Sequence, residues 1–149
     1  MDWVAGFTWT EWQPSYGLGG RNPWNTHHYT SQALRRYLLR QDTSLQRYAI
    51  TVQEKLIGAV CIRYPWLRGT CLELIGLEAA SQGKGVGCAL LRWIERETQM
   101  EAQNVWIVVS AFNTKARVFY ERQGFLIIGT LKDFVQPGYD EILLRKMLP

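Results

Sequence analysis

The sequence predicts an α/β fold: a mixed central sheet of about six to seven strands with helices packed on it. Three observations point there. Two β-rich runs, 47-RYAITVQ-53 and 56-LIGAVCIRY-64, lie close enough together to form a hairpin. A third run, 71-CLELIGL-77, leads through closely spaced glycines into an amphipathic helical pattern. A strand, a helix and two further strands then follow between residues 105 and 148. The 149 residues, 47% of them hydrophobic and 20% charged, suit a single domain with a real core.

Taken in order, a short strand is expected near Phe7 to Trp12, followed by a loop carrying Gly17, Gly19 and Gly20. Residues 29 to 41 place Leu34, Tyr37 and Leu38 on one helical face. The hairpin 47 to 64 turns at Glu54-Lys55. In the helix after the glycines, Val86, Leu90, Trp93 and Ile94 point inward, and Arg92, Glu95, Arg96 and Glu97 face water. The run 105-VWIVV-109 is apolar throughout, which suits a central strand covered on both faces. Asn113 caps a helix over 114 to 123 that stops at Gly124. Strands 125 to 131 and 140 to 148, joined by a turn at Pro137-Gly138, close the chain.

Composition narrows the function classes. The net charge of +4 comes from 17 basic and 13 acidic residues, mostly scattered, without the dense basic stripe of a nucleic-acid binder. No apolar run is long enough to span a membrane. The opening MDWVAGFTWTEW lacks the features of a signal peptide, so the cytoplasm is the expected compartment. Cys61, Cys71 and Cys88 have no metal-site or disulfide spacing and read as buried thiols. His27-His28 lacks a partner cluster and reads as a surface pair rather than a metal site, so no metal is expected.

The chemistry concentrates in 82-QGKGVG-87. A helix N-terminus offers unpaired N–H donors and the positive end of the dipole, and glycine lets a bulky anion approach the backbone. A tight turn would use glycines too. A Walker A loop is excluded because Gly85 follows Lys84, and a dinucleotide fingerprint because Cys88 stands where its last glycine belongs.

Gln82-Gly83-Lys84-Gly85-Val86-Gly87 resembles the Gln/Arg-x-x-Gly-x-Gly/Ala signature of the GNAT superfamily of N-acetyltransferases. The block 113-NTKARVFYERQGF-125 is similar to that family's Asn…Ala…Tyr-Glu-x-x-Gly-Phe pattern, and 140-DEILLRKML-148 to its final strand. The resemblance covers residues 47 to 148 and leaves 1 to 46 divergent, expected on the acceptor side of a single domain, 1–149. It implies a GNAT-like fold with a splay between the fourth and fifth strands, and acetyl-CoA as acyl donor. Gln82, Gly83, Lys84, Gly85, Val86 and Gly87 would then hold its pyrophosphate, and the main chain of Ile75, Gly76 and Leu77 its pantetheine arm and thioester carbonyl.

The resemblance makes Tyr120 the general acid for the departing thiolate. A phenol stays protonated at neutral pH, as that role requires, although a packed core tyrosine is the plain alternative. Asn113 and Tyr120, two helical turns apart, share one face that could run beside the cofactor, with Asn113 also a simple cap. Lys115 and Arg117 are expected to face solvent near the adenosine phosphates. Glu73 is costly in an apolar strand unless paired, so it is either a base toward the amine or an ion-pair partner of Arg63 or Arg68.

The implied activity is N-acetyl transfer to an amine acceptor. An acyl-CoA-binding module, an O-acyl acceptor, and an interaction protein using Trp3, Trp9, Trp12 and Trp24 are the alternatives. A homodimer is compatible with a domain this small, with no interface marked. Asp140 and Glu141 are assigned to the last strand, with a substrate-facing carboxylate as the second reading.

Overall fold

The computed structural model describes the backbone of Asp2–Val4 and Phe7–Glu11, and residues 36–149 in full. The strands are β1 (Asp2–Val4), β2 (Phe7–Glu11), β3 (Leu45–Val52), β4 (Lys55–Trp66), β5 (Gly69–Leu77), β6 (Asn104–Ser110), β7 (Leu126–Gln136) and β8 (Tyr139–Met147). Helices α1 (Val86–Gln99) and α2 (Thr114–Arg122) and a 3-10 turn at Ala79–Ser81 lie among the later strands. The strand order is β1-β2-β3-β4-β5-β6-β8-β7. β5 and β6 pair parallel, whereas β1–β2, β2–β3, β6–β8 and β7–β8 pair antiparallel, so the sheet is mixed, as expected. Asp2–Val4 adds one short strand to the expected set. No described helix is long and apolar enough to cross a membrane.

The chain packs as two compact units, residues 1–62 with 74–90, and residues 63–73 with 91–149. In the first, β1 and β2 pair antiparallel, and β2 pairs with β3 from Thr8↔Thr51 to Glu11↔Tyr48. The β3–β4 turn lies at Gln53 and Glu54, both at positive φ, one residue before the expected place. That left-handed pair matches the twist of a two-residue hairpin. Leu38, Leu45 and Cys61 form a buried cluster with Tyr37 and Leu74 against it. Of the expected helix 29 to 41, residues 36–39 are helical, residues 40 and 41 are not, and 29–35 lie outside the described residues. Arg47 Nη2 donates to the carbonyls of Tyr37 at 3.1 Å and Arg40 at 2.7 Å, closing the end of that helix.

In the second unit, β6 lies between β5 and β8. Its Val105, Ile107 and Val109 are buried while Trp106 and Val108 are half-buried, so one face is fully covered and the other partly. Across the β6–β8 ladder, Ile107 faces Leu144 and Val109 faces Ile142, which extends the buried face. Ile94 is buried as expected, but Trp93 is half-buried, and Glu95, expected in water, is drawn into an ion pair with Lys146 at 2.8 Å. Thr98, on the same helix, donates its buried hydroxyl hydrogen within a cluster that includes Thr70 Oγ1 and the Ile94 carbonyl, each at 2.7 Å. The parallel β5–β6 ladder runs from Gly69↔Asn104 to Leu72↔Ile107 and stops, although β6 continues to Ser110.

Candidate active site

In the first unit, β5 ends at Leu77, and Glu78 N–H ties the following turn to the Ile57 carbonyl at 2.8 Å. A Cβ on Gly58 of β4 would lie 2.3 Å from the Gly76 carbonyl oxygen, so the two backbones pack closely there. Gln82 turns back, its Nε2 donating to the Leu77 carbonyl at 3.2 Å. Gly83 and Gly85 then take φ of 74° and 86°, the left-handed region that side chains resist. A Cβ at either position would meet nothing within 4 Å, so open space lies beside both.

The first hydrogen bond into α1 runs from Ala89 N–H to the Gly85 carbonyl at 3.0 Å. Among the described residues, the N–H groups from Gly83 to Cys88 therefore have no backbone acceptor. Six donors at the positive end of a 14-residue helix, beside glycines that leave room, form a cradle for a phosphate-bearing ligand. Lys84 and Gln82 are exposed, and Val86 is packed inward at the start of the helix. The residues present thus fit the pyrophosphate of acetyl-CoA.

The second unit holds Glu73, Asn113 and Tyr120. Glu73 lies half-buried on β5, held by Arg63 of β4 through two points, Nε to Oε1 and Nη2 to Oε2, the latter at 3.2 Å. Of the two arginines considered for an ion pair, Arg63 is the one that makes it. Asn113 caps α2, its Oδ1 accepting from Ala116 N–H at 3.2 Å.

Tyr120 is buried in the last turn of that helix, its ring set edge-on to Phe119 and Phe125. Burial pushes its phenol well above the ordinary value, which keeps it protonated. Its hydroxyl makes no hydrogen bond among the described residues. A buried ring with an unpaired hydroxyl is compatible with proton donation and is unusual for a purely packed tyrosine. Lys115 is exposed as expected, whereas Arg117 is half-buried and its Nε is enclosed without a partner.

Glu141, assigned from sequence only to the last strand, has a more marked environment. It is 5% exposed, faces Ser110 across the β6–β8 ladder and accepts its hydroxyl hydrogen at 3.2 Å. Burial raises its carboxyl above the ordinary value, and the Ser110 hydroxyl partly opposes the shift. The -DE- pair in the sequence was the one available signal, and it does not say which carboxylate turns inward.

His27, His28, Trp12 and Trp24 lie outside the described residues, as do the side chains of Trp3 and Trp9. Among the described residues no group of three or more His, Cys, Asp and Glu could hold a metal.

The model of the acetyltransferase (GNAT) family matches residues 6–125. A GNAT family acetyltransferase from Elizabethkingia anophelis, solved with acetyl-CoA bound, is 20% identical with a TM-score of 0.71, over 97% of this chain and 100% of that one. Ard1 from Thermoplasma volcanium is 17% identical with a TM-score of 0.77, over 97% and 99% of the two chains. A spermidine N-acetyltransferase variant from Vibrio cholerae is 19% identical with a TM-score of 0.67, over 97% and 95%. These likenesses show a shared fold. The uncharacterized protein YdhI of Bacillus subtilis (strain 168) is 27% identical over 89 residues, 59% of this chain and 54% of YdhI, so the match spans about half the length of that relative.

Proposed function

This chain belongs to the acetyltransferase (GNAT) family, and on that premise we propose that it transfers the acetyl group of acetyl-CoA to a primary amine of a small molecule or peptide. The observation that carries the reading is the row of unpaired N–H groups from Gly83 to Cys88, opening α1 beside two left-handed glycines. Acetyl-CoA supplies an activated thioester acyl group. The loop from Gln82 to Gly87 holds the diphosphate, and the main chain of Ile75, Gly76 and Leu77 receives the pantetheine arm and the thioester oxygen. Asn113 sets the start of the helix that carries Tyr120. Tyr120 gives its proton to the departing sulfur.

Glu73 was one candidate for the group that takes the amine's proton. Its two-point hold by Arg63 favours a positioning role, because both carboxylate oxygens are already engaged. Most of the rate would come from holding amine and thioester together, since a neutral amine is already a competent nucleophile.

Calorimetry with acetyl-CoA, followed by a thiol-release assay over a panel of amines, amino acids and peptides, tests the reading. Binding and amine-dependent release of free thiol are expected. Absence of acetyl-CoA binding at millimolar concentration removes the reading. Binding without turnover of any acceptor would instead identify an acyl-CoA-binding module.

A further inference from the structure

From the pairing of Ser110 with Glu141 we infer that the C-terminal end of β6 carries a subsite for a primary ammonium, with Glu141 as the carboxylate that binds it and takes its proton. The inference rests on the acetyltransferase reading for its place in a reaction, but its geometry stands on the second unit alone. Glu141 is buried on β8 and accepts one hydrogen bond, from Ser110. Neither of its oxygens forms an ion pair among the described residues, and Oε2 has no hydrogen-bond donor there. That oxygen is not sealed in, because the enclosed unpaired side-chain atoms are Arg47 Nε and Arg117 Nε. A buried carboxylate with one oxygen held and the other open is costly unless a cation or a donor meets it.

The neighbouring carboxylates have other work. Asp133 Oδ1 accepts from Gly138 N–H at 2.7 Å, and Asp140 Oδ1 from Asp133 N–H at 2.8 Å, so both stabilise the β7–β8 turn. Continuation of the β6–β8 register supplies the rest of the subsite. Ala111 N–H donates to the Asp140 carbonyl at 2.9 Å, which carries the pairing one step past Ser110↔Glu141. The next step sets Phe112 against Tyr139, their rings edge-on with centroids 6.5 Å apart. A carboxylate beside two aromatic rings suits an ammonium on an apolar arm.

The subsite also lies at the right end of the strand. Ser110 is three residues beyond Ile107, the last β6 residue in the β5 ladder, or roughly 10 Å along the strand. It immediately precedes the segment that Asn113 caps, since Asn113 N–H donates to the Ser110 carbonyl at 2.9 Å. An incoming R–NH3+ gives one proton to the Glu141 carboxylate. This leaves R–NH2 with a free lone pair, and Glu141 later returns the proton to solvent.

Three probes separate the sources of such an ammonium: n-butylamine and 2-phenylethylamine for small amines, and alanyl-alanine amide for a peptide N-terminus, with 2-phenylethanol as the uncharged control. In the full chain, the 13C signal of the Glu141 carboxyl is followed by NMR during each titration. At least one ammonium probe should shift it and the alcohol should not. Whichever amine is bound, E141Q should weaken its affinity, or raise its KM where turnover is seen, about tenfold (about 1.4 kcal/mol), while acetyl-CoA affinity stays within about twofold. S110A, which keeps the carboxylate and loses its anchor, should weaken the same probe by a smaller factor and keeps the test alive should E141Q not fold. The subsite is overturned if no ammonium moves the Glu141 signal, or if E141Q weakens the bound probe by less than about threefold. If acetyl-CoA fails to bind while an amine still shifts Glu141, the acetyltransferase reading falls and the subsite stands.

Discussion

Arg63 on β4 and Glu73 on β5 form a two-point ion pair within the second unit, both side chains half-buried at 15% and 23% exposure. The guanidinium fork fixes the carboxylate's plane as well as its position, which a single contact would not do. Removing one partner takes both contacts away from a half-buried charge. A double-mutant cycle of Arg63→Met and Glu73→Gln in urea melts should give a coupling of about 1–2 kcal/mol, between exposed and fully buried pairs. Glu73→Gln should lower kcat by less than about tenfold, below the usual contribution of a general base. A fall of about a thousandfold with unchanged stability would restore Glu73 as the base.

The left-handed glycines make a separable prediction. Gly85→Ala places a Cβ where φ is 86°, costing about 1–2 kcal/mol of backbone strain although space is available. Gly85→Glu adds a negative charge to the loop proposed to hold the diphosphate. Its acetyl-CoA Kd should rise well over tenfold, against a smaller change for Gly85→Ala, as read by calorimetry.

Tyr120→Phe removes a hydroxyl that makes no hydrogen bond among the described residues and keeps the ring packed on Phe119 and Phe125. Thermal stability should therefore hold or rise slightly. Turnover should fall about a hundredfold, with acetyl-CoA affinity changed by less than about threefold. Equal loss of affinity in Tyr120→Phe and Gly85→Glu would contradict the separate roles.

Stability should also report on Glu141. Burial raises its carboxyl above the ordinary value, so the folded chain holds that proton more tightly than the unfolded chain does. The resulting stability is complete below the ordinary glutamate range and is lost as pH rises through the higher folded value. Glu141→Gln should leave the Tm near pH 3.5 almost unchanged and raise it near pH 8. Melts across that range check the direction.

Cys71 offers a control on packing. Burial first, with the Glu73 carboxylate adding to it and Arg63 opposing, pushes its thiol up to about 12. Cys71 and the buried Cys61 should resist iodoacetamide at pH 8 in the folded protein and react once it is unfolded, as read by mass spectrometry.

Much of this protein was legible in one dimension. The β-rich runs of β3 and β4, the amphipathic period of α1, and the Asn113 cap are local patterns, and each element formed near its expected bounds. The glycine cradle was legible too, because Gly83 and Gly85 record a backbone conformation that few other residues accept. Strand β7 was less so. Its Leu126, Ile127 and Ile128 are apolar, yet all three are exposed on the last strand of the sheet order.

The sequence by itself determined the element order, the left-handed glycine loop that opens α1 and the capped helix that carries Tyr120, since all three follow from contacts between near neighbours in the chain. Tertiary structure alone decided which carboxylates are engaged. Arg63 reaches Glu73 because β4 and β5 run side by side, and Ser110 meets Glu141 because the β6–β8 register sets position 110 opposite 141. The physical reason is that side-chain chemistry depends on burial and on the partner across a ladder. Strand register sets both, and one strand's own sequence does not encode it.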